Sequence, residues 1–381
     1  MQNRAGVLLP ILVILVSFAA FFFFLTSPPS IALPLLVAAI VAVLVLDKKG
    51  VIDSLMFSVS SRKAVFLPLL AGAALLLPFF TPDAYVIHLC VLICLYSIIN
   101  IGLDFQLGMT NMMNFATAAF FGVGAYTSAL LTARLQVPVL LAIPIGAINA
   151  GLFGILLGLP TLRTKNYYLS LVTIAFQFIF VMFINNMEWT GGPDGVRGVT
   201  LLSFGSYSLN NPLHLLGRVL PYQASFYYLS LALLAAAMWV ASRLRNSRLG
   251  LAWNAIRADE IAALCQGINL ANAKLTAFAT GAVLAGLTGA VYTHYVGFIS
   301  PNNFGFNLSV ELACMLIFGG LDNLTGIVVG TIILTALPEK LRELSEYRMV
   351  IYGVVVVAML AFRPKGLFPK RLRNYGLLSR R

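Results

Sequence analysis

Twelve apolar stretches, at roughly 7–25, 31–46, 64–80, 84–103, 115–133, 137–162, 166–187, 219–242, 275–297, 308–319, 323–338 and 349–362, carry no Asp, Glu, Lys or Arg except Glu311. A helix needs about 20 predominantly apolar residues to cross the hydrocarbon of a bilayer, and several of these stretches reach that length. The runs at 308–319 and 349–362 are short. Only 10% of the 381 residues are charged and 60% are hydrophobic, whereas soluble domains carry about 25% charged residues. Such a chain cannot cover a water-facing surface, so lipid must cover much of it. The fold class expected is all-α: a polytopic transmembrane helical bundle of about ten to twelve helices, some short or broken.

The net charge of +12 raises the question of nucleic acid, but the placement of the charges answers it. Seven basic residues and no acid lie between Arg363 and Arg381, and others cluster in short loops between apolar runs. That is how a membrane protein fixes its orientation, with Lys and Arg retained inside. With the N-terminus cytoplasmic and twelve crossings, most of the 25 basic residues fall inside, among them Arg4, Lys48, Arg163, Arg257 and Arg371. Gly195 and Glu343 then fall outside. Merging 308–338 into one span would put the basic tail outside, so a break is expected at Gly319-Gly320-Leu321-Asp322-Asn323. Val7 to Leu25, behind a single Arg4 and without a small-x-small cleavage site, reads as an uncleaved first helix.

Motifs for chemistry are absent. There is no G-x-x-x-x-G-K-[ST] loop to cradle ATP phosphates, no GxSxG and no HExxH. Cys90, Cys94, Cys265 and Cys314 read as small buried hydrophobes, and His88, His214 and His294 are too scattered for zinc. Ion coupling needs ionisable groups inside the membrane. Here Glu311, with His88 and His294, are the candidates, and Asp104 and Asp322 read as boundary residues. Energy is therefore expected from outside the chain.

Gly146, Ala150, Gly154 and Gly158 recur every four residues, as do Gly281, Ala285 and Gly289. Small residues at that spacing let helix backbones approach in lipid. Gly102-Leu103-Asp104 and Gly320-Leu321-Asp322 each end an apolar run, a faint hint of an inverted repeat. The segment from Ser242 to Lys274 is the longest cytoplasmic loop. Ser247-Arg248-Leu249-Gly250 breaks the preceding helix. Trp253, Ile256, Ile261 and Leu264 then form an apolar stripe, and Gly267 ends the helix. Such a helix lies on the membrane or docks in a partner's groove, and both readings stay open on composition.

This loop resembles the coupling loop of the binding-protein-dependent ABC importer permeases, nearest their branched-chain amino acid branch. The family pattern S-R-x-G-R-A, A-I/L-R-x-D-E-x-A and G-I is read here as Ser247-Arg248-Leu249-Gly250-Leu251-Ala252, Ala255-Ile256-Arg257-Ala258-Asp259-Glu260-Ile261-Ala262 and Gly267-Ile268. Leu251 departs from the usual basic residue. Asn100-Ile101-Gly102-Leu103 through Gly122-Val123-Gly124-Ala125-Tyr126 resembles N-x-G-L…F-x-G-x-G-A-Y. Leu159-Pro160-Thr161-Leu162-Arg163, Thr190-Gly191-Gly192-Pro193-Asp194-Gly195, Phe318-Gly319-Gly320, Leu337-Pro338-Glu339, Tyr347-Arg348 and Phe362-Arg363-Pro364-Lys365-Gly366-Leu367 follow in order. The resemblance covers about 84–369.

The resemblance implies a non-catalytic permease subunit of the bacterial inner membrane, with both termini cytoplasmic. It implies a heterodimer with a sister permease, two cytoplasmic ATPase subunits that hold the ATP and magnesium, and a periplasmic solute-binding protein. The organisation is a transmembrane extension over 1–80, a permease domain over 81–369 with a coupling loop at about 243–274, and a basic tail over 370–381. Arg248, Gly250, Ala255, Arg257, Asp259, Glu260 and Gly267 are carried over as the coupling residues. Thr190, Gly191, Gly192 and Asp194 are carried over as the binding-protein contact, against the plainer reading of a glycine turn capping a helix. Asn114, Phe115, Tyr126 and Glu311 are candidates to line the path, against a reading as packing. Branched-chain or other neutral amino acids are the expected cargo. A permease for urea, amides or other small polar solutes, and an ATP-independent transporter or channel, are the alternatives.

Overall fold

The computed structural model describes residues 72, 74–81, 83–161, 166–204, 207–215, 218–340, 348–362 and 366–368. Arg4, Lys48, Arg163, Glu343 and Arg371, the spans at 7–25 and 31–46 and the basic tail lie outside the described residues.

The described chain is helical, with two small hairpins. Helices α1 (Ala84–Thr110), α2 (Thr117–Ala133), α3 (Val139–Thr161) and α4 (Asn166–Asn186) are followed by short antiparallel pairs, β1 (Ser203–Phe204) with β2 (Tyr207–Ser208) and β3 (Leu213–Leu215) with β4 (Arg218–Leu220). Then come α5 (Gln223–Arg245), α6 (Arg248–Ala258), α7 (Glu260–Cys265), α8 (Leu270–Val296), α9 (Phe306–Gly319), α10 (Leu324–Lys340) and α11 (Arg348–Phe362). Five of them, α1, α3, α4, α5 and α8, are long and apolar enough to cross a membrane. At 1.5 Å per residue, the 27-residue α1 and α8 each span about 40 Å, while the 14-residue α9 reaches only about 21 Å.

Helix α8 is the hub and packs on α1, α2 and α3. It can do so because small residues occupy two of its faces. Ala282 and Gly286 meet Gly154 and Ala150 of α3, while Gly281 touches Gly102 of α1 and Gly289 touches Phe121 of α2. The two stripes read from the sequence therefore do not face each other: Gly281 and Gly289 serve α1 and α2, and α3 uses the next row. Helix α1 is 83% buried over its most apolar window, whereas α4 is 22% buried there. Helix α4 turns Leu171, Phe178, Ile179, Met182 and Phe183 outward, as a helix facing lipid or another subunit does.

The structure separates α9 from α10 at 320–323, where Gly320 (φ 112°) and Asp322 (φ 60°) turn the chain. The two helices pack against each other as a hairpin. Gly366–Phe368 close on this turn, with Leu367 N–H donating to Phe318 O (2.9 Å) and Phe368 N–H to Gly319 O (3.1 Å).

One boundary differs from the sequence reading. The apolar run stops before Asp104, but α1 continues to Thr110 and is closed by Asn111 in the left-handed conformation (φ 58°). Asp104 therefore does not end α1: it is a fully buried residue six positions before the helix's last one.

Candidate functional site

The loop joining α5 to α8 is a folded corner. Ser247 caps α6, its Oγ accepting from Gly250 N–H at 3.5 Å. A Cβ on Gly250 would sit 2.5 Å from the carbonyl oxygens of Leu244 and Arg245, so only glycine permits this tight join. Trp253 is fully buried, donates Nε1–H to Ala273 O of α8 (2.8 Å) and rests its ring 5.4 Å from that of Phe105 on α1. Ile256 is buried beside it, Ala255 is half-buried, and Arg257 donates to the Gly108 carbonyl of α1.

The single apolar stripe expected over 253–264 is not formed. Asp259 leaves the helix (φ −161°, ψ 118°), and its Oδ1 accepts from Ile261 N–H (2.8 Å) and Ala262 N–H (3.0 Å), starting α7 in a new direction. Ile261 and Leu264 are consequently 76% and 58% exposed, where Trp253 and Ile256 are buried. Cys265 is exposed too, so it is not the buried hydrophobe the sequence suggested. Glu260 pairs with Lys274 at 2.8 Å. Gly267 (φ 78°) closes α7, with Ile268 N–H donating to Ala263 O (3.1 Å). Arg248, Leu249 and Leu251 stand on the outer surface of the corner.

Beneath the corner lies a group of charges that the sequence reading did not assemble. Asp104 of α1 pairs through Oδ2 with the Arg245 guanidinium at the end of α5. Its Oδ1 accepts from the backbone N–H of Asp322 at 2.7 Å, and Arg245 Nε stands 3.9 Å from Asp322 Oδ1. The two Gly-Leu-Asp tripeptides, 218 positions apart, meet here.

Between α1 and α2 the chain runs irregularly through the bundle interior, where backbone groups need internal partners. Phe115 N–H donates to Thr173 Oγ1 (3.1 Å) and Ala116 N–H to Asn114 Oδ1 (2.8 Å). Ala118 N–H donates to Ser309 Oγ (2.9 Å) and Ala119 N–H to Gln177 Oε1 (2.8 Å). Gln177 Nε2–H also donates to Phe304 O (2.6 Å), and Asn114 Nδ2–H to Gln106 Oε1 (2.6 Å). Asn114 thus holds this break together, with Phe115 packed on Phe306 beside it, ring centroids 6.2 Å apart. Tyr126 is buried edge-on against Phe304. Glu311 lies two residues beyond Ser309 on α9, partly exposed, and its carbonyl accepts from Tyr352 Oη–H (3.5 Å). The structure brings Asn114 and Phe115 to one place, while Tyr126 lies on α2 and Glu311 on α9. Gln106, Thr173, Gln177 and Ser309 are not among the path candidates read from the sequence, where an uncharged polar side chain inside an apolar run is their one local signal.

At the other end of α8, Thr190 Oγ1–H donates to the Ile184 and Met187 carbonyls (both 2.8 Å), capping α4. Gly191, Gly192 and Gly195 take φ values of 86°, 54° and 73°, which side chains resist. Val196 and Ile299 bridge beside them, and Pro193 and Asp194 are exposed. The glycines are thus explained by the capping turn. His294 is held in the same region between Ser128 Oγ and Thr200 O, both at 2.8 Å. Among the described residues no three of His, Cys, Asp and Glu gather as metal ligands.

Residues 85–360 match the family described as branched-chain amino acid transport system / permease component. The high-affinity branched-chain amino acid transport system permease protein LivM of Escherichia coli K12 is 32% identical over 321 residues, 81% of this chain and 75% of that protein. The corresponding LivH protein of the same organism is 25% identical over 292 residues, 71% of this chain and 90% of LivH. The ribose import permease protein RbsC of Bacillus subtilis 168 is 28% identical over 187 residues, 44% of this chain and 56% of RbsC. No solved structure matches the chain. The matched span contains the folded corner, the irregular α1–α2 connection and the broken α9–α10 hairpin, and this multi-pass membrane protein belongs to the branched-chain amino acid transport system permease family.

Proposed function

We propose that this chain is one of two permease subunits in a binding-protein-dependent ABC importer for branched-chain or other neutral amino acids. Separate cytoplasmic ATPases drive it. The observation that carries the reading is the shape of the α6–α7 corner. One face is nailed to α1 and α8 by Trp253, Ile256 and Arg257, and the other presents Arg248, Leu249, Leu251, Ile261 and Leu264 outward. A helix lying passively on lipid needs no such anchorage. A lever needs a rigid root and a free apolar face for its partner.

In this reading α6–α7, Gly366–Phe368 and both termini face the cytoplasm, and the ATPases seat the outward apolar residues in a groove. The Thr190–Gly195 turn, at the far end of the bundle, faces the periplasm and the solute-binding protein. ATP and magnesium bind on the ATPases. ATP binding closes their dimer, moves the corner and changes the relative populations of outward- and inward-open bundles. The cargo crosses between this chain and a LivH-like sister. The uncharged polar residues at the α1–α2 break suit a zwitterion whose own charges cancel.

The test is reconstitution of the chain with sister permease, ATPases and binding protein in proteoliposomes. Leucine uptake that needs both ATP and binding protein is the expected result. Uptake of urea or an amide in its place moves the cargo assignment, and uptake without ATPases overturns the class.

A further inference from the structure

We propose that Asp104, Arg245 and Asp322 form the junction through which the α6–α7 corner moves the broken α9–α10 hairpin. The inference rests on the importer reading and identifies the positioning residues that reading requires inside the membrane subunit.

Three separate stretches of chain meet at this junction. Arg245 is the last residue of α5, two positions before the cap of α6, so any tilt of α6 is felt there. Asp104 lies one turn before Gly108, whose carbonyl receives Arg257 from α6. Asp322 occupies the left-handed turn that ends the α9 break. The side chains of Asp104 and Asp322 are both 0% exposed and that of Arg245 is 8% exposed. Gly108 leaves room for the Asp104 carboxylate, which a Cβ there would strike.

Buried ion pairs are poor sources of stability compared with apolar packing of the same volume, and their best-attested role is to specify one arrangement among alternatives. Here the arrangement specified is the register of the hairpin turn against α1 and α5. On its other side the turn is held by Gly366–Phe368. Helix α9 then carries displacement of the turn inward, because its opposite end places Ser309 Oγ on the N–H of Ala118, beside Asn114 and Gln177. A push on the corner thus has a continuous, hydrogen-bonded route to the irregular backbone in mid-bundle.

The test uses the complete complex in proteoliposomes and reads uptake and ATP hydrolysis together. The double variant Asp104→Asn/Arg245→Gln removes both charges of the close pair and leaves the buried Asp322 carboxylate without the Arg245 cation that stands 3.9 Å from it. It should assemble, retain the ATPases and hydrolyse ATP within about twofold of the unsubstituted rate. Its uptake per ATP should fall about fivefold or more, the low end of the factors by which linked sites change each other's affinity, because hydrolysis then proceeds without moving the hairpin. Arg245→Lys, which keeps the charge facing Asp104, should recover most of that ratio. A second variant, Asp322→Asn, suits the left-handed turn and leaves the Asp104–Arg245 pair in place, so it folds even where the double variant does not. It should also lower the ratio. An uptake-to-hydrolysis ratio within twofold of unsubstituted in either assembled variant overturns the junction alone. Absence of ATP-dependent uptake in the unsubstituted complex overturns the importer reading, and this inference with it.

Discussion

Trp253 is the residue whose removal most directly tests whether the corner is rooted in the bundle. It has no exposed surface, lies 5.4 Å from the Phe105 ring and donates to Ala273 O at 2.8 Å, so it joins α6 to α1 and α8 at once. Truncating a buried aromatic to alanine costs about 3–5 kcal/mol. The hydrogen bond contributes about 1 kcal/mol of this, and its acceptor is not stranded, because the Ala273 carbonyl also accepts from Thr276 Oγ1–H (2.9 Å). At 1.4 kcal/mol per tenfold, Trp253→Ala should raise the population with α6 undocked by roughly two to three and a half powers of ten. Trp253→Phe, losing chiefly the hydrogen bond, should raise it by about tenfold or less. Hydrogen exchange of the amides of Leu251 to Ala258 in the purified complex reads this population, and retention of the ATPases reads its consequence. Ile261→Ala, at a side chain 76% exposed, should leave α6 exchange unchanged and weaken ATPase retention only. Exchange in Trp253→Ala within threefold of the unsubstituted chain would refute the anchored-lever argument.

Asp259→Ala removes the cap of α7 and should cost that helix about 0.5–2 kcal/mol, seen as faster exchange at Ile261 and Ala262 with α6 unaffected; equal exchange would show that the bend has another cause. Gly289→Leu forces a side chain into the Phe121 carbonyl and should cost at least about 1–3 kcal/mol of packing, lowering membrane abundance, whereas Gly353→Ala meets open space and should not. In a Cys265→Ala background, an impermeant maleimide added to intact cells should label Pro193→Cys and spare Ile261→Cys. The reverse pattern would invert the proposed orientation.

Long lipid-type helices were legible in the sequence because the absence of charge marks them, and α3, α4, α5 and α8 fall within a few residues of their apolar runs. Helix α1 was legible from Ala84 to Leu103 but not over its last seven residues, because Asp104 ends the run without ending the helix. Its compensation comes from Arg245, 141 positions away, and no local pattern displays that partner. The corner was half legible. Period-3.6 spacing placed Trp253, Ile256, Ile261 and Leu264 on one stripe, yet the Asp259 side chain competes with the helix for its own backbone and splits that stripe between core and surface. The Gly320 turn was foreseen from Gly319-Gly320-Leu321-Asp322-Asn323, whereas its closure by Gly366–Phe368 depends on a long-range pairing. At the mid-bundle break Asn114 is a candidate from the sequence, but Gln106, Thr173, Gln177 and Ser309 stand out only in the folded chain. Only the folded chain shows which backbone groups they satisfy.

The central claim is that this chain moves solute only when separate ATPases drive it through the corner. Leucine uptake into proteoliposomes holding the chain with its sister permease should therefore be silent. It should appear when ATPases, ATP and binding protein are supplied together, and fall with Trp253→Ala. Uptake that runs at full rate without ATPases, or that Trp253→Ala leaves untouched in the full complex, would contradict the account.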